Sequence, residues 1–186
     1  MPWPDRIETA RLILRPLTEA DLPTLVREIG RWEVARWLIR VPHPYTEADG
    51  RAWLDICRRE DAAGRQLFLA AREKDGGEMR GGIGLILHAH GPGEAELGYW
   101  LAPAVWGRGY GTEMARAMLW SAFADLDMVA VRAAADPANA ASNRLLEKAG
   151  FTLVRIDPAH DRGLRGPPGP AHIWRITRED WRRAHG

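Results

Sequence analysis

The stretch of this chain whose residue types and spacing point most directly to chemistry is Trp106-Gly107-Arg108-Gly109-Tyr110-Gly111-Thr112-Glu113. Three glycines at alternate positions allow a tight backbone turn with its N–H groups directed inward. A helix-patterned segment follows from about Thr112, so the positive end of a helix dipole adds to those groups. Such an arrangement holds a pyrophosphate without a metal. Taken alone, the run fits equally well a glycine-rich turn between a strand and a helix. Spacing excludes two nucleotide motifs. A G-x-G-x-x-G reading would place its third glycine at Thr112 or Met114, and no acidic residue follows about 20 residues on at the end of a suitable strand. No Gly-Lys-Ser/Thr occurs anywhere, which removes a P-loop. His88 and His90 share a strand end with no third ligand nearby, so no metal site is expected. Cys57 reads as a small apolar residue on a helix.

Composition narrows the class. At 186 residues, 46% hydrophobic and 27% charged, the chain suits one soluble domain with a substantial core, expected over residues 7–182. A net charge of +1 gives no reason to expect nucleic acid or an anionic membrane as partner. One cysteine allows no internal disulfide. The start Met1-Pro2-Trp3-Pro4-Asp5 is neither basic nor apolar, and no segment approaches a membrane span of roughly 20 apolar residues, so a cytoplasmic location is expected.

The elements that must position the glycine run follow from periodicity and punctuation. Arg11 to Leu17 reads as a strand. Thr18 with Asp21 resembles a capping box opening a helix through Leu22, Leu25, Val26 and Ile29 to Gly30. Thr46 with Asp49 opens a second, carrying Trp53, Leu54, Ile56 and Cys57 to about Asp61. Between them, Trp32, Trp37 and Pro42-His43-Pro44-Tyr45 form an aromatic stretch suited to a substrate wall. Three antiparallel strands follow at Gln66 to Arg72, Met79 to His88 and Glu94 to Leu101. After the glycine run come a helix to about Asp125, a buried strand from Met128 to Ala135, and a helix from Ala140 to Ala149 stopped by Gly150. Phe151 to Ile156 and His172 to Thr177 read as strands separated by a loop from Asp157 to Pro170, with a short terminal helix. The order is α+β with one strand-turn-helix-strand crossover at its centre.

That order, with four local motifs, resembles the GNAT acetyltransferase superfamily, and within it the branch that includes the Rim-type N-terminal acetyltransferases of ribosomal proteins. The motifs are Ile7-Glu8-Thr9-Ala10-Arg11-Leu12-Ile13-Leu14-Arg15-Pro16-Leu17; Glu96-Leu97-Gly98-Tyr99-Trp100-Leu101 followed by the glycine run; Asn139-Ala140-Ala141-Ser142-Asn143-Arg144-Leu145-Leu146-Glu147-Lys148-Ala149-Gly150-Phe151; and Trp174-Arg175-Ile176-Thr177-Arg178-Glu179-Asp180-Trp181. The resemblance implies the GNAT fold, a mixed and mostly antiparallel sheet flanked by helices, with a splayed strand pair holding the coenzyme. It implies acetyl-CoA as co-substrate, no metal, and direct acetyl transfer to a primary amine, either a protein N-terminus or a small molecule. The enzyme class would be an acyltransferase transferring groups other than aminoacyl groups. A non-catalytic acyl-CoA sensor is the alternative reading. The sequence does not set the oligomeric state, a homodimer being among the options.

The resemblance also assigns roles. The coenzyme pyrophosphate falls to the backbone of Arg108, Gly109, Tyr110, Gly111 and Thr112, with Trp106 standing where many members have Gln or Arg. The pantetheine amides fall to the backbone of Tyr99, Trp100, Leu101 and Ala102, on a strand expected to splay at a bulge before Pro103. Asn139 and Asn143 match coenzyme-contacting asparagines. Glu96 is the expected general base, its carboxyl raised in pKa by burial, and an N–H near Leu101 is the expected oxyanion donor. Many members carry a Tyr general acid where this chain has Leu146, and Ser142 is the expected substitute.

Overall fold

A computed structural model describes residues 4–185 of the chain; Met1 to Trp3 of the N-terminal stretch read above lie outside the described residues. Its strands are β1 (Ile7–Glu8), β2 (Leu12–Pro16), β3 (Gln66–Glu73), β4 (Met79–Ile86), β5 (Glu94–Leu101), β6 (Ala130–Ala135), β7 (Thr152–His160) and β8 (Gly169–Thr177). Its helices are α1 (Leu22–Ile29), α2 (Trp32–Ala35), α3 (Glu47–Ala62), α4 (Tyr110–Trp120), α5 (Ala140–Lys148) and α6 (Arg178–His185). The strands form one sheet in the order β1-β2-β3-β4-β5-β6-β8-β7. Neighbours pair antiparallel except β5 and β6, which are parallel and joined through α4.

Alternation along the strands sends apolar side chains to both faces. On one face Leu25 of α1 and Leu54 of α3 pack with Leu17, Ala70 and Trp100. On the other, Met114 and Met118 of α4 and Leu146 of α5 pack with Leu14, Ile83 and Leu97. Both capping boxes form: Thr46 N–H donates to Asp49 Oδ2 at 2.8 Å, and Thr18 N–H to Asp21 Oδ2 at 2.9 Å. The Thr18 box opens a 3-10 turn, Glu19–Asp21, ahead of α1. Asp21 is drawn inward there, 1% exposed, by hydrogen bonds from Arg15 and Arg72. Gly150 takes φ +98° after α5, the left-handed stop that its position predicts. After α4 the chain makes a π-helical turn, Ser121–Asp125, before β6.

Two expectations are corrected. The segment from Asp157 to Pro170 is not all loop, because the β7–β8 ladder continues past an irregularity to the pair His160 and Gly169. The remainder is tied down: Leu164 N–H donates to Ile39 O at 2.8 Å, and the Arg165 guanidinium donates to Leu38 O and Val41 O. The chain after β7 is therefore strapped to the segment between α2 and α3. Second, no bulge interrupts the β4–β5 register, which runs unbroken from Glu96 to Leu101. No helix among the described residues is long and apolar enough to cross a membrane.

Candidate functional site

The glycine run turns from β5 into α4. Gly107 and Gly109 take φ +72° and +80°, conformations that side chains resist. The N–H groups of Gly107, Gly109, Tyr110, Gly111 and Thr112 have no acceptor among the described residues. Helix geometry leaves the first N–H groups of α4 without an intrahelical partner, and no side chain caps it. Arg108 differs: its N–H reaches Val105 O at 3.4 Å and its carbonyl accepts from Arg11 Nη1 at 2.8 Å. Gly111 lets α4 lie close to α5, since a Cβ there would collide with Leu145 Cδ1.

Distant residues fix this cradle. Glu113 accepts from Thr9 Oγ1, from Arg11 N–H at 2.8 Å and from Arg11 Nε at 2.7 Å. Burial alone would raise the Glu113 carboxyl, but these donors hold it below its ordinary value. Tyr110 donates to Glu73 Oε1 at 2.8 Å, with the Arg11 guanidinium 4.2 Å above its ring centroid. A surface cavity of about 530 Å³ beside the cradle is lined by Arg11, Gly109, Thr112, Arg116 and Lys148 among others.

β5 and β6 pair only from Glu94 with Ala130 to Glu96 with Arg132. Beyond that point β5 stays with β4 through Leu101 and β6 stays with β8 through Ala135, so the parallel pair opens. Each strand keeps its antiparallel partner while sheet twist separates the two. Along the opened edge the backbone groups alternate. Ala102 N–H donates to Arg80 O at 2.8 Å, which turns the polar groups of Trp100 and Ala102 toward β4 and those of Tyr99 and Leu101 toward the gap. The structure therefore brings Tyr99 and Leu101 to the gap and withholds Trp100 and Ala102, a correction that follows from the two-residue period of a strand. Trp106 Nε1 donates to Leu101 O at 2.9 Å, leaving Leu101 N–H and both Tyr99 groups on the open edge.

Glu96 sits where the strands part, on the face opposite α4. Its side chain is 38% exposed, with Oε2 3.0 Å from His90 Nε2. The burial expected for it is absent because this part of the face is uncovered: nothing lies within 4 Å of where a Gly98 Cβ would be. Glu94 is occupied differently. It accepts from Arg175 and Arg132, and the Arg175 guanidinium above all holds its carboxyl below the usual range. A carboxylate held that firmly is a poor proton acceptor, which leaves Glu96 as the base candidate. The Cys57 thiol is pushed up to about 12 by burial and is no nucleophile.

At the start of α5, Asn139 is the N-cap, its Oδ1 accepting from Ser142 N–H at 3.1 Å. Ser142 Oγ lies 2.7 Å from the Tyr99 hydroxyl, across the gap from β5. Asn143 does not face outward: Nδ2 donates to Asp136 O and Asn139 O, and Oδ1 accepts from Trp174 Nε1 at 3.1 Å and lies 2.8 Å from His172 Nδ1. These bonds use all four of its side-chain valences, so its amide holds α5 to β8 and none of it remains for a ligand. Because Nδ2 carries both amide hydrogens, His172 Nδ1 must bear the proton. Sequence reasoning weighed His90 only as a metal ligand and missed its contact with Glu96, along with the Tyr99 hydroxyl and the Arg11–Glu113 lock. Arg11 and Glu113 stood in the quoted motifs, but nothing local links them.

A family model described as an acetyltransferase (GNAT) domain matches residues 11–152. YoaA of Bacillus subtilis, an uncharacterized N-acetyltransferase, is 29% identical over 146 residues, 78% of this chain and 81% of its own. Among solved structures, Mycobacterium smegmatis RimJ in complex with CoA-disulfide superposes with a TM-score of 0.86 at 21% identity, covering 100% of this chain and 96% of that one. The aminoglycoside acetyltransferase AAC(6')-Ib in complex with coenzyme A gives 0.76 at 22% identity, covering 94% and 99%. At these identities the two structures speak for the fold, and the family model speaks for the sequence. With that model covering most of its length, and with the opened strand pair and glycine turn in place, the chain belongs to the GNAT family of N-acetyltransferases.

Proposed function

We propose that this protein, as a single domain over about residues 7–182, transfers the acetyl group of acetyl-CoA directly to a primary amine, with a peptide N-terminus as the first acceptor to consider. The observation that carries the reading is the set of backbone groups without protein partners: five N–H groups in the cradle and three groups on the β5 edge. The cradle suits a pyrophosphate and the two Tyr99 groups a chain of amides, which leaves the Leu101 N–H for the acetyl oxygen. When bound, acetyl-CoA supplies an activated thioester. Glu96, at the open face, takes the proton of the incoming amine, with His90 holding its carboxylate in place. Leu101 N–H stabilises the negative charge that grows on the acetyl oxygen. Ser142 assists the departing sulfur, for which weak assistance suffices because a thiol has a pKa of about 8.5.

The acceptor side supports a singly charged amine over a polycation. Glu94 is neutralised by Arg132 and Arg175, so Glu96 with His90 offers no acidic cluster there among the described residues. The ribosomal-protein branch, suggested by the sequence motifs and by the likeness to RimJ in fold, also favours a peptide.

Calorimetry with acetyl-CoA, followed by thiol release with peptide N-termini, lysines, polyamines and aminoglycosides, tests the reading. Binding and turnover with a peptide are expected. Binding without turnover on any amine would make the protein a sensor, and turnover confined to aminoglycosides would move the acceptor class. The cradle has its own test. Gly109→Val places a β-branched residue at φ +80°, at a cost of about 1–2 kcal/mol in backbone strain. Acetyl-CoA affinity is expected to fall by about 10-fold or more, since strain relieved by turning the loop also turns its N–H groups away. Unchanged calorimetric affinity would remove the cradle from the site.

A further inference from the structure

The Tyr99 side chain has no part in the reading above, which uses only its backbone. The strand alternation that turns its N–H and C=O to the gap directs the ring to the α4–α5 face, where it packs against the core. There its hydroxyl meets Ser142 Oγ at 2.7 Å. The side chain is partly buried, and a phenol proton in such a setting is ordinarily placed on an acceptor. Among the described residues it has two, both on Ser142: Oγ at 2.7 Å and the carbonyl O at 3.5 Å. In the short contact either hydroxyl can be the donor, and the 3.5 Å carbonyl is a second acceptor for the phenol. With Tyr99 as the donor, the serine's own O–H has no protein acceptor among the described residues.

We infer that Tyr99 is the positioning residue for Ser142: by donating to Oγ, it fixes the serine rotamer and reserves the serine proton for the departing sulfur. The inference rests on the proposed acetyl transfer. In the step, the C–N bond forms as the C–S bond breaks and its electron pair leaves on sulfur. Sulfur takes the Ser142 hydroxyl proton. Ser142 regains a proton from solvent, into which Glu96 releases the one it took from the amine. Tyr99 keeps its proton throughout. A hydroxyl that already accepts a hydrogen bond is the stronger donor, so the phenol also sharpens the serine as an acid.

Burial pushes the Tyr99 hydroxyl up to about 12, so the donated bond persists across the working pH range and adds no titration of its own. The pH profile of turnover in Tyr99→Phe should accordingly keep the wild-type shape at lower amplitude. The phenyl ring preserves the packing, and the loss is confined to one hydroxyl.

The experiment is a kinetic cycle on the full chain with acetyl-CoA and the best amine of the panel: wild type, Tyr99→Phe, Ser142→Ala and the double variant. Tyr99→Phe is expected to lower kcat by about 10-fold with KM for acetyl-CoA within about twofold. The double variant should be no slower than Ser142→Ala alone, because the phenol acts only through the serine. Wild-type kcat in Tyr99→Phe, or a loss that multiplies with that of Ser142→Ala, would overturn the inference. So would a raised KM with unchanged kcat and a lowered Tm, the signature of a bond that merely holds α5 in place. A wild type that neither binds nor consumes acetyl-CoA would instead overturn the proposed function, so the two failures are distinct.

Discussion

Glu96→Gln is expected to lower turnover by about 100-fold or more, the usual contribution of a positioned general base. The amide keeps the shape and one acceptor oxygen of the side chain but cannot take a proton from the amine. Coenzyme affinity should stay within about twofold, because Glu96 lies on the face opposite the α4 cradle, and the loss should appear in kcat. Glu96→Ala removes the group altogether and opens space beside Gly98, where the face is already uncovered. Small carboxylates added to that variant should restore part of the rate, whereas a loss caused by misfolding would not respond. Glu94→Gln makes the control for chemistry: its partners Arg132 and Arg175 would lose a structural counterion, so stability should suffer more than kcat. Equal kinetic losses in the two variants would remove the assignment of the base to Glu96.

Asp21→Ala is expected to be the most damaging change to the fold. The carboxylate is inaccessible to solvent and serves Arg15, Arg72 and the Thr18 end of the capping box at once. Removing it leaves two guanidinium groups, each 27% exposed, facing one another without their counterion. Breaking a buried ion pair from one side costs about 3 kcal/mol or more. Urea unfolding should show this as a lower midpoint at unchanged slope. Burial by itself would raise the Asp21 carboxyl, but the Arg15 and Thr18 hydrogen bonds outweigh it and hold the group below its ordinary value. A depressed carboxyl contributes stability that is present above the unfolded value of about 3.9 and lost as pH falls through the folded one. The gap between wild type and Asp21→Ala should therefore be full at neutral pH and shrink in acid. A gap independent of pH would mean that the charge is not what matters.

Much of the frame was legible because its signals are local. The β5 strand runs from Glu94 to Leu101 as read, bounded by a glycine turn and Pro103, and Thr46 caps α3 through Asp49. Where reading failed, the cause lies across the sheet. The exposure of Glu96 depends on what covers one face of β5, which no property of the strand reveals. Asn143 is committed to Trp174 and His172, 31 and 29 residues further on. Binding by Tyr99 to Ala102 as a block overlooks that a strand offers only every second residue to a given edge. β7 continues beyond Ile156 despite Pro158 because β8 supplies its partners, a tertiary effect that local punctuation hides.

The lock between Glu113 and Thr9 or Arg11 joins residues 104 and 102 positions apart. Closing a loop of that length is entropically expensive, and contacts of such separation tend to form late. The glycine turn is therefore expected to reach its final shape after the N-terminal segment has joined the sheet, so a chain still short of that step would have no finished candidate site to offer. Coenzyme binding at the proposed cradle would then act as an inspection of the finished product, its binding free energy accruing to the completed chain and not to its precursors.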